Sequence, residues 1–109
     1  MPYEKLVRDG IPLIMQEAGS EPDFRIARTR ELSILMRRKI WEEVDELMRA
    51  RKREKIVEES ADVLEIVEAY CELHGITMDE VMRAKKQKLK EKGGFEKRIV
   101  VKFPGRRKV

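Results

Sequence analysis

At 109 residues, 41% hydrophobic and 42% charged, the chain has the size of one domain and is read as a single unit over 1–109, too short for two independent cores. The lone Cys71 excludes an internal disulfide scaffold, no Cys/His set suits zinc, and no run approaches the roughly 20 apolar residues of a membrane span, so a cytoplasmic protein with no membrane partner is expected. The net charge of +4 divides unevenly: 13 basic against 19 acidic residues over 1–82 (−6), then 12 basic against 2 acidic over 83–109 (+10). That division fits a cation-dependent enzyme acting on a phosphorylated substrate; attraction between the two regions is the plainer reading. The absence of Asn and the presence of only Gln16 and Gln87 match proteins of hot environments.

Helical periodicity organises nearly the whole chain. Asp9 is placed to cap a short first helix with Pro12 in its opening turn, and Gly19 to end it. Residues 20–22 read as a turn and residues 24–27 as a short extended segment. From Thr29, read as a cap, apolar residues recur at Leu32, Leu35, Met36, Ile40, Val44, Leu47 and Met48, one stripe of a second helix. A third helix is expected from about Arg53 to His74, with Ile56, Val63, Ile66, Val67 and Tyr70 on one face and Gly75 ending it. His74 then serves as a partner for the helix dipole. Thr77 and Glu80 form a capping-box pattern that opens a fourth helix, stopped by Gly93-Gly94. The β-type run Ile99-Val100-Val101, within an extended segment at 99–103, either pairs with residues 24–27 or forms an arm. The expected fold is all-α: an antiparallel bundle of about four helices.

The second and third helices carry the chemistry. Glu42, Glu43 and Glu46 form E-E-x-x-E, and Glu59 and Asp62 form E-x-x-D. Residues three apart share a helix face, so two antiparallel helices bring Glu43, Glu46, Glu59 and Asp62 together. Four carboxylates in a partly desolvated space repel one another or take up protons unless a cation intervenes, and hard oxygen ligands suit Mg²⁺ or Mn²⁺. The helical phase also places Glu43 at the centre of the apolar stripe, where a merely solvated acid would not lie. The geometry requires a break between residues 50 and 54. No Gly or Pro stands there, and one continuous helix from Thr29 to His74 would hold Glu46 and Glu59 roughly 20 Å apart on opposite faces.

The ordered array K-x-x-E-E-x-x-E followed by E-x-x-D resembles the all-α nucleoside triphosphate pyrophosphohydrolase superfamily, the MazG-like proteins and phosphoribosyl-ATP pyrophosphohydrolases. The opening Lys5-Leu6-Val7-Arg8-Asp9-Gly10-Ile11-Pro12 and the ending Gly93-Gly94-Phe95-Glu96-Lys97-Arg98 extend the resemblance over nearly the full chain. It implies a Mg²⁺-dependent, oligomeric enzyme that cleaves a nucleoside triphosphate between its α and β phosphates, often as house-cleaning of non-standard nucleotides. Phosphoribosyl-ATP pyrophosphohydrolase activity is the alternative within the resemblance. Carried onto this chain, the metal ligands are Glu43, Glu46, Glu59 and Asp62, and Glu42 is the candidate for orienting water. Lys39, Lys5, Arg8, Lys88, Lys92 and Arg98 are candidates for balancing phosphate charge, each with a plain surface role as its competitor.

A non-catalytic basic helical module that binds nucleic acid through residues 97–108 is the reading from another class, and the lack of a stacking platform argues against it. Trp41, Leu35, Met48 and Leu64 sit toward the edges of the inferred core stripes, so a homodimer or homotetramer is expected to cover them, with Trp41 at the contact.

Overall fold

The computed structural model describes residues 3–105. Four helices follow in order: α1 (Ile11–Glu17), α2 (Thr29–Arg49), α3 (Arg53–Leu73) and α4 (Met78–Lys92), with no strand among the described residues. The fold is all-α. After Ile76 the chain passes from one compact unit, holding α1 to α3, to a second that holds α4 and the segment after it.

Within the first unit, α2 and α3 pack as a helical hairpin. The connection Ala50–Lys52 breaks the helix without Gly or Pro: Ala50 (ψ 135°) and Lys52 (ψ 145°) are extended. Arg51 caps the end of α2 from outside, its Nη1 donating to the carbonyl oxygens of Met48 at 2.7 Å and Ala50 at 3.1 Å. Propensity permitted a continuous helix; pairing the inner faces of α2 and α3 prevails over it. Those inner faces follow the expected stripes except at Met48 and Ile56, which are exposed. Leu32, Met36, Ile40, Val44 and Leu47 on α2, and Val63, Val67, Tyr70 and Leu73 on α3, are at least half-buried, with Ile66 the most deeply buried apolar side chain at 8% exposure.

Three local expectations require correction. The N-cap of α1 is Gly10, not Asp9, and no side chain caps that helix; Pro12 in the first turn sets the start one residue later. The N-cap of α2 is Arg28, not Thr29, which is the first helical residue. Glu31 does the capping from within, its Oε2 accepting the Arg28 backbone N–H at 2.8 Å. The segments 24–27 and 99–103 form no strands, so the strand pairing given as one alternative for Ile99-Val100-Val101 is not observed among the described residues.

The second unit follows the sequence signals closely. Thr77 caps α4, its Oγ1 accepting the Glu80 N–H at 3.2 Å while Glu80 Oε2 accepts the Thr77 N–H at 2.8 Å. Gly93 ends the helix at φ 78°, a left-handed conformation that glycine enters without steric cost. His74 is the C-cap of α3, edge-on to Tyr70 with ring centroids 4.6 Å apart, consistent with a structural role. No helix among the described residues is long and apolar enough to cross a membrane.

Candidate active site and metal centre

The α2–α3 hairpin brings Glu43, Glu46 and Glu59 together, one oxygen from each lying within 4.8 Å of the others. Asp62 lies near enough for its charge to act on Glu43. Glu46 is therefore level with Glu59 and Glu43 with Asp62, the register of an antiparallel pair. Glu43 is 7% exposed, the most buried charged group among the described residues. Its Oε2 and that of Glu59 are buried and lack a hydrogen-bond partner.

Native proteins seldom leave buried carboxylate oxygens orphaned, so two of them facing one another are a test of fit for a cation. Oxygen ligands about 2.1 Å from Mg²⁺ are at most about 4.2 Å apart across the ion. The donor set, all carboxylate, is hard. These three residues fit a divalent metal; Asp62, expected as a fourth ligand, accepts instead from Arg8 Nη2 at 2.6 Å.

Cations border the acids. Lys39, one turn before Glu43, donates to Glu42 Oε2 at 2.6 Å and lies 3.1 Å from Glu43 Oε1. Lys5 donates to the other oxygen of Glu42 at 2.6 Å. Thus Glu42 is gripped from both sides, and the segment at residues 3–9 lies across α2 to α3 through Lys5 and Arg8. Of the other expected phosphate-binding residues, Lys88 and Lys92 are exposed on α4, and Arg98 follows it with a left-handed backbone, φ 56°. These three belong to the second unit.

The electrostatics divide the acids into two groups. Burial raises the Glu43 carboxyl above the ordinary carboxylate range, and the Lys39 contact offsets this only in part. Glu46 is raised by partial burial and by the nearby Glu59. For Glu42 burial acts upward too, but the hydrogen bonds from Lys39 and Lys5 outweigh it and hold the group low. Outside the cluster, Arg25, followed by the Arg28 N–H, lowers Glu31 to about 2.

These shifts fix the sign of a pH dependence. A lowered group such as Glu31 contributes stability above pH 4.5 that is lost as the pH falls toward about 2. Raised Glu43 and Glu46 act oppositely: the fold loses stability as the pH rises from 4.5 through their elevated values, because the native state must then hold repelling charges. With chelator present, the urea midpoint is expected to be lower at pH 7 than near pH 5, and Mn²⁺ should restore it at pH 7. A chelated protein equally stable at both pH values, or one that Mn²⁺ leaves unchanged, contradicts the assignment.

Sequence reasoning missed Arg25, whose guanidinium joins Glu4 to Glu31. It lies in non-periodic chain, and no local pattern signals such a link. Compared with known proteins, the chain matches the family described as phosphoribosyl-ATP pyrophosphohydrolase over residues 7–88. No curated protein and no solved structure gives a significant match. The matched region contains Arg8, Lys39, every acid of the cluster and Lys88.

Proposed function

The chain belongs to the phosphoribosyl-ATP pyrophosphohydrolase family, within the MazG-like all-α superfamily, and from that premise we propose that it is a Mg²⁺-dependent nucleoside triphosphate pyrophosphohydrolase. The family indicates a hydrolase of acid anhydrides acting on a nucleotide. The observation that carries the finer reading is the meeting of Glu43, Glu46 and Glu59 around two orphaned, buried oxygens.

In this reading Glu43, Glu46 and Glu59 would hold the ion, with Asp62 as a fourth ligand in place of its contact with Arg8. The ion supplies Lewis acidity toward phosphoryl oxygens and toward water. Glu42, held ionised by Lys5 and Lys39, accepts a proton from the attacking water while the two lysines fix the direction of its lone pairs. Lys39, Lys5 and Arg8 present positive charge where the departing pyrophosphate gains negative charge; Lys88, Lys92 and Arg98 are assigned the same role at the outer phosphates. Attack at the α phosphorus breaks the α–β bridge, and pyrophosphate leaves with a nucleoside monophosphate.

House-cleaning of non-standard nucleotides is the proposed role, in the cytoplasm. Phosphoribosyl-ATP is the second substrate reading, favoured by the family's description. A panel of standard and non-standard nucleoside triphosphates plus phosphoribosyl-ATP, with and without Mg²⁺, tests both. Pyrophosphate is expected as the phosphorus product, and only with the metal. Orthophosphate with a nucleoside diphosphate would place attack at the γ phosphorus and overturn the register; efficient turnover confined to phosphoribosyl-ATP would select the second substrate.

A further inference from the structure

Residues 3–9 carry Lys5 and Arg8 to the acid cluster, yet they form no regular secondary structure before the turn at Asp9. Little continuous packing fixes this strap. An open groove of about 820 Å³ is lined by the strap and by residues 22–27, with Leu6, Val7, Met15 and Phe24 among its apolar side chains. In the strap only Leu6 is half-buried.

Its polar ties are specific. Lys5 and Arg8 are tied to Glu42 and Asp62, both residues of the site. The remaining tie is Glu4. Arg25 donates to it from Nε at 3.1 Å and Nη2 at 3.2 Å, and to Glu31 from Nη1 at 2.7 Å and Nη2 at 2.9 Å. One guanidinium therefore grips two carboxylates, each through two bonds, a geometry that lysine cannot reproduce. Glu31 is itself fixed to the first turn of α2 by the Arg28 N–H. The chain of contacts Glu4–Arg25–Glu31 thus fastens the strap to a rigid helix at a point outside the acid cluster.

We propose that Arg25 is a positioning residue for nucleotide binding: it moors the strap through Glu4, so that Lys5 and Arg8 stay at the site when Asp62 turns from Arg8 to a cation. This rests on the pyrophosphohydrolase reading. Without the mooring, loading the acid cluster would break the Arg8–Asp62 tie and leave the Lys5–Glu42 pair alone to hold the strap and the two positive charges that the triphosphate needs. Arg25 lies apart from the reacting atoms. It acts through Lys5 and Arg8, which serve the bound triphosphate and the departing pyrophosphate and, through Lys5, the alignment of Glu42, so its loss lowers kcat/KM through both KM and kcat.

The test compares wild type, Arg25→Gln, Arg25→Lys and Glu4→Gln. Arg25→Gln and Glu4→Gln are each expected to lower kcat/KM for the best nucleotide on the order of tenfold. Arg25→Lys should recover only part of the loss, and the Arg25→Gln/Glu4→Gln double variant should be no worse than either single variant. Amide exchange of residues 3–9 supplies a readout that needs no substrate. Mn²⁺ should leave it unchanged in wild type and accelerate it in Arg25→Gln. Unchanged kcat/KM in both single variants, or strap exchange that ignores Mn²⁺ in Arg25→Gln, overturns the mooring. Should wild type cleave no nucleotide, the pyrophosphohydrolase reading falls while the exchange experiment still decides whether Arg25 moors the strap.

Discussion

Glu43→Gln is expected to lower metal-dependent pyrophosphate release on the order of a hundredfold or more, because the change removes an anionic ligand from the buried centre of the cluster while keeping its shape. Even groups that only orient metal ligands typically contribute about 10–100-fold. The same variant should gain stability at neutral pH without metal. Glu43 is almost fully buried, its carboxyl is raised by that burial, and a neutral amide there ends the repulsion with Glu46 and Asp62 while offering donors to the orphaned Glu59 oxygen. Activity and metal-free stability thus move in opposite directions, the signature of a site strained by its function. The measurements are pyrophosphate release at saturating Mg²⁺ and urea midpoints with chelator. Wild-type turnover, or a large stability loss in chelator, would return Glu43 to the role of a structural ion-pair partner of Lys39. Asp62→Asn serves as the companion: loss of turnover supports a fourth ligand, and retained turnover limits Asp62 to holding Arg8.

The acids were legible in the sequence because helical phase is local. Three-residue spacing put Glu43 and Glu46 on one face, the apolar stripe fixed that face as the inner one, and Glu43 is indeed buried. The break after Arg49 was inferable only from the fold as a whole, since nothing between Ala50 and Lys52 forbids a helix. The caps of α1 and α2 were misplaced by one residue because Asp9 and Thr29 have the right chemistry, but the turn phase is set by Pro12 and by the Arg28–Glu31 contact. The cations were harder still. Lys39 follows from helical spacing to its acids, whereas Lys5 and Arg8 arrive on irregular chain whose path depends on Arg25, so only motif resemblance identified them. The run Ile99-Val100-Val101 shows the opposite failure: strong β propensity produces no strand where no partner supplies a ladder.

A second apolar pattern on the hairpin leads to an expected light-scattering mass of at least twice 12.9 kDa at micromolar concentration. Ile34, Trp41 and Met48 are spaced by seven on α2, and all three are exposed, Trp41 at 75%. Val57 and Leu64 repeat the spacing on α3, with Leu64 at 69%, and Cys71 continues it. Residues seven apart differ by only about 20° in helical phase, so each set is a stripe. The register that sets Glu46 beside Glu59 and Glu43 beside Asp62 also sets Trp41 level with Leu64, Met48 with Val57 and Ile34 with Cys71. At about 100° per residue, with the two helices antiparallel, both stripes turn to the same side of the hairpin, away from the inner faces. An apolar ladder of that length is unusual on a monomer's surface, and each Å² covered by a partner stabilises association by roughly 25 cal/mol. A second copy presenting the same ladder gives a closed, self-complementary contact, with a dimer of dimers as its extension. Leu64→Glu and Trp41→Glu are each expected to shift the mass toward that of one chain, because a charge at the centre of such a contact must be buried unpaired. If the wild type is a monomer at that concentration and fully active, the ladder faces water in the working enzyme.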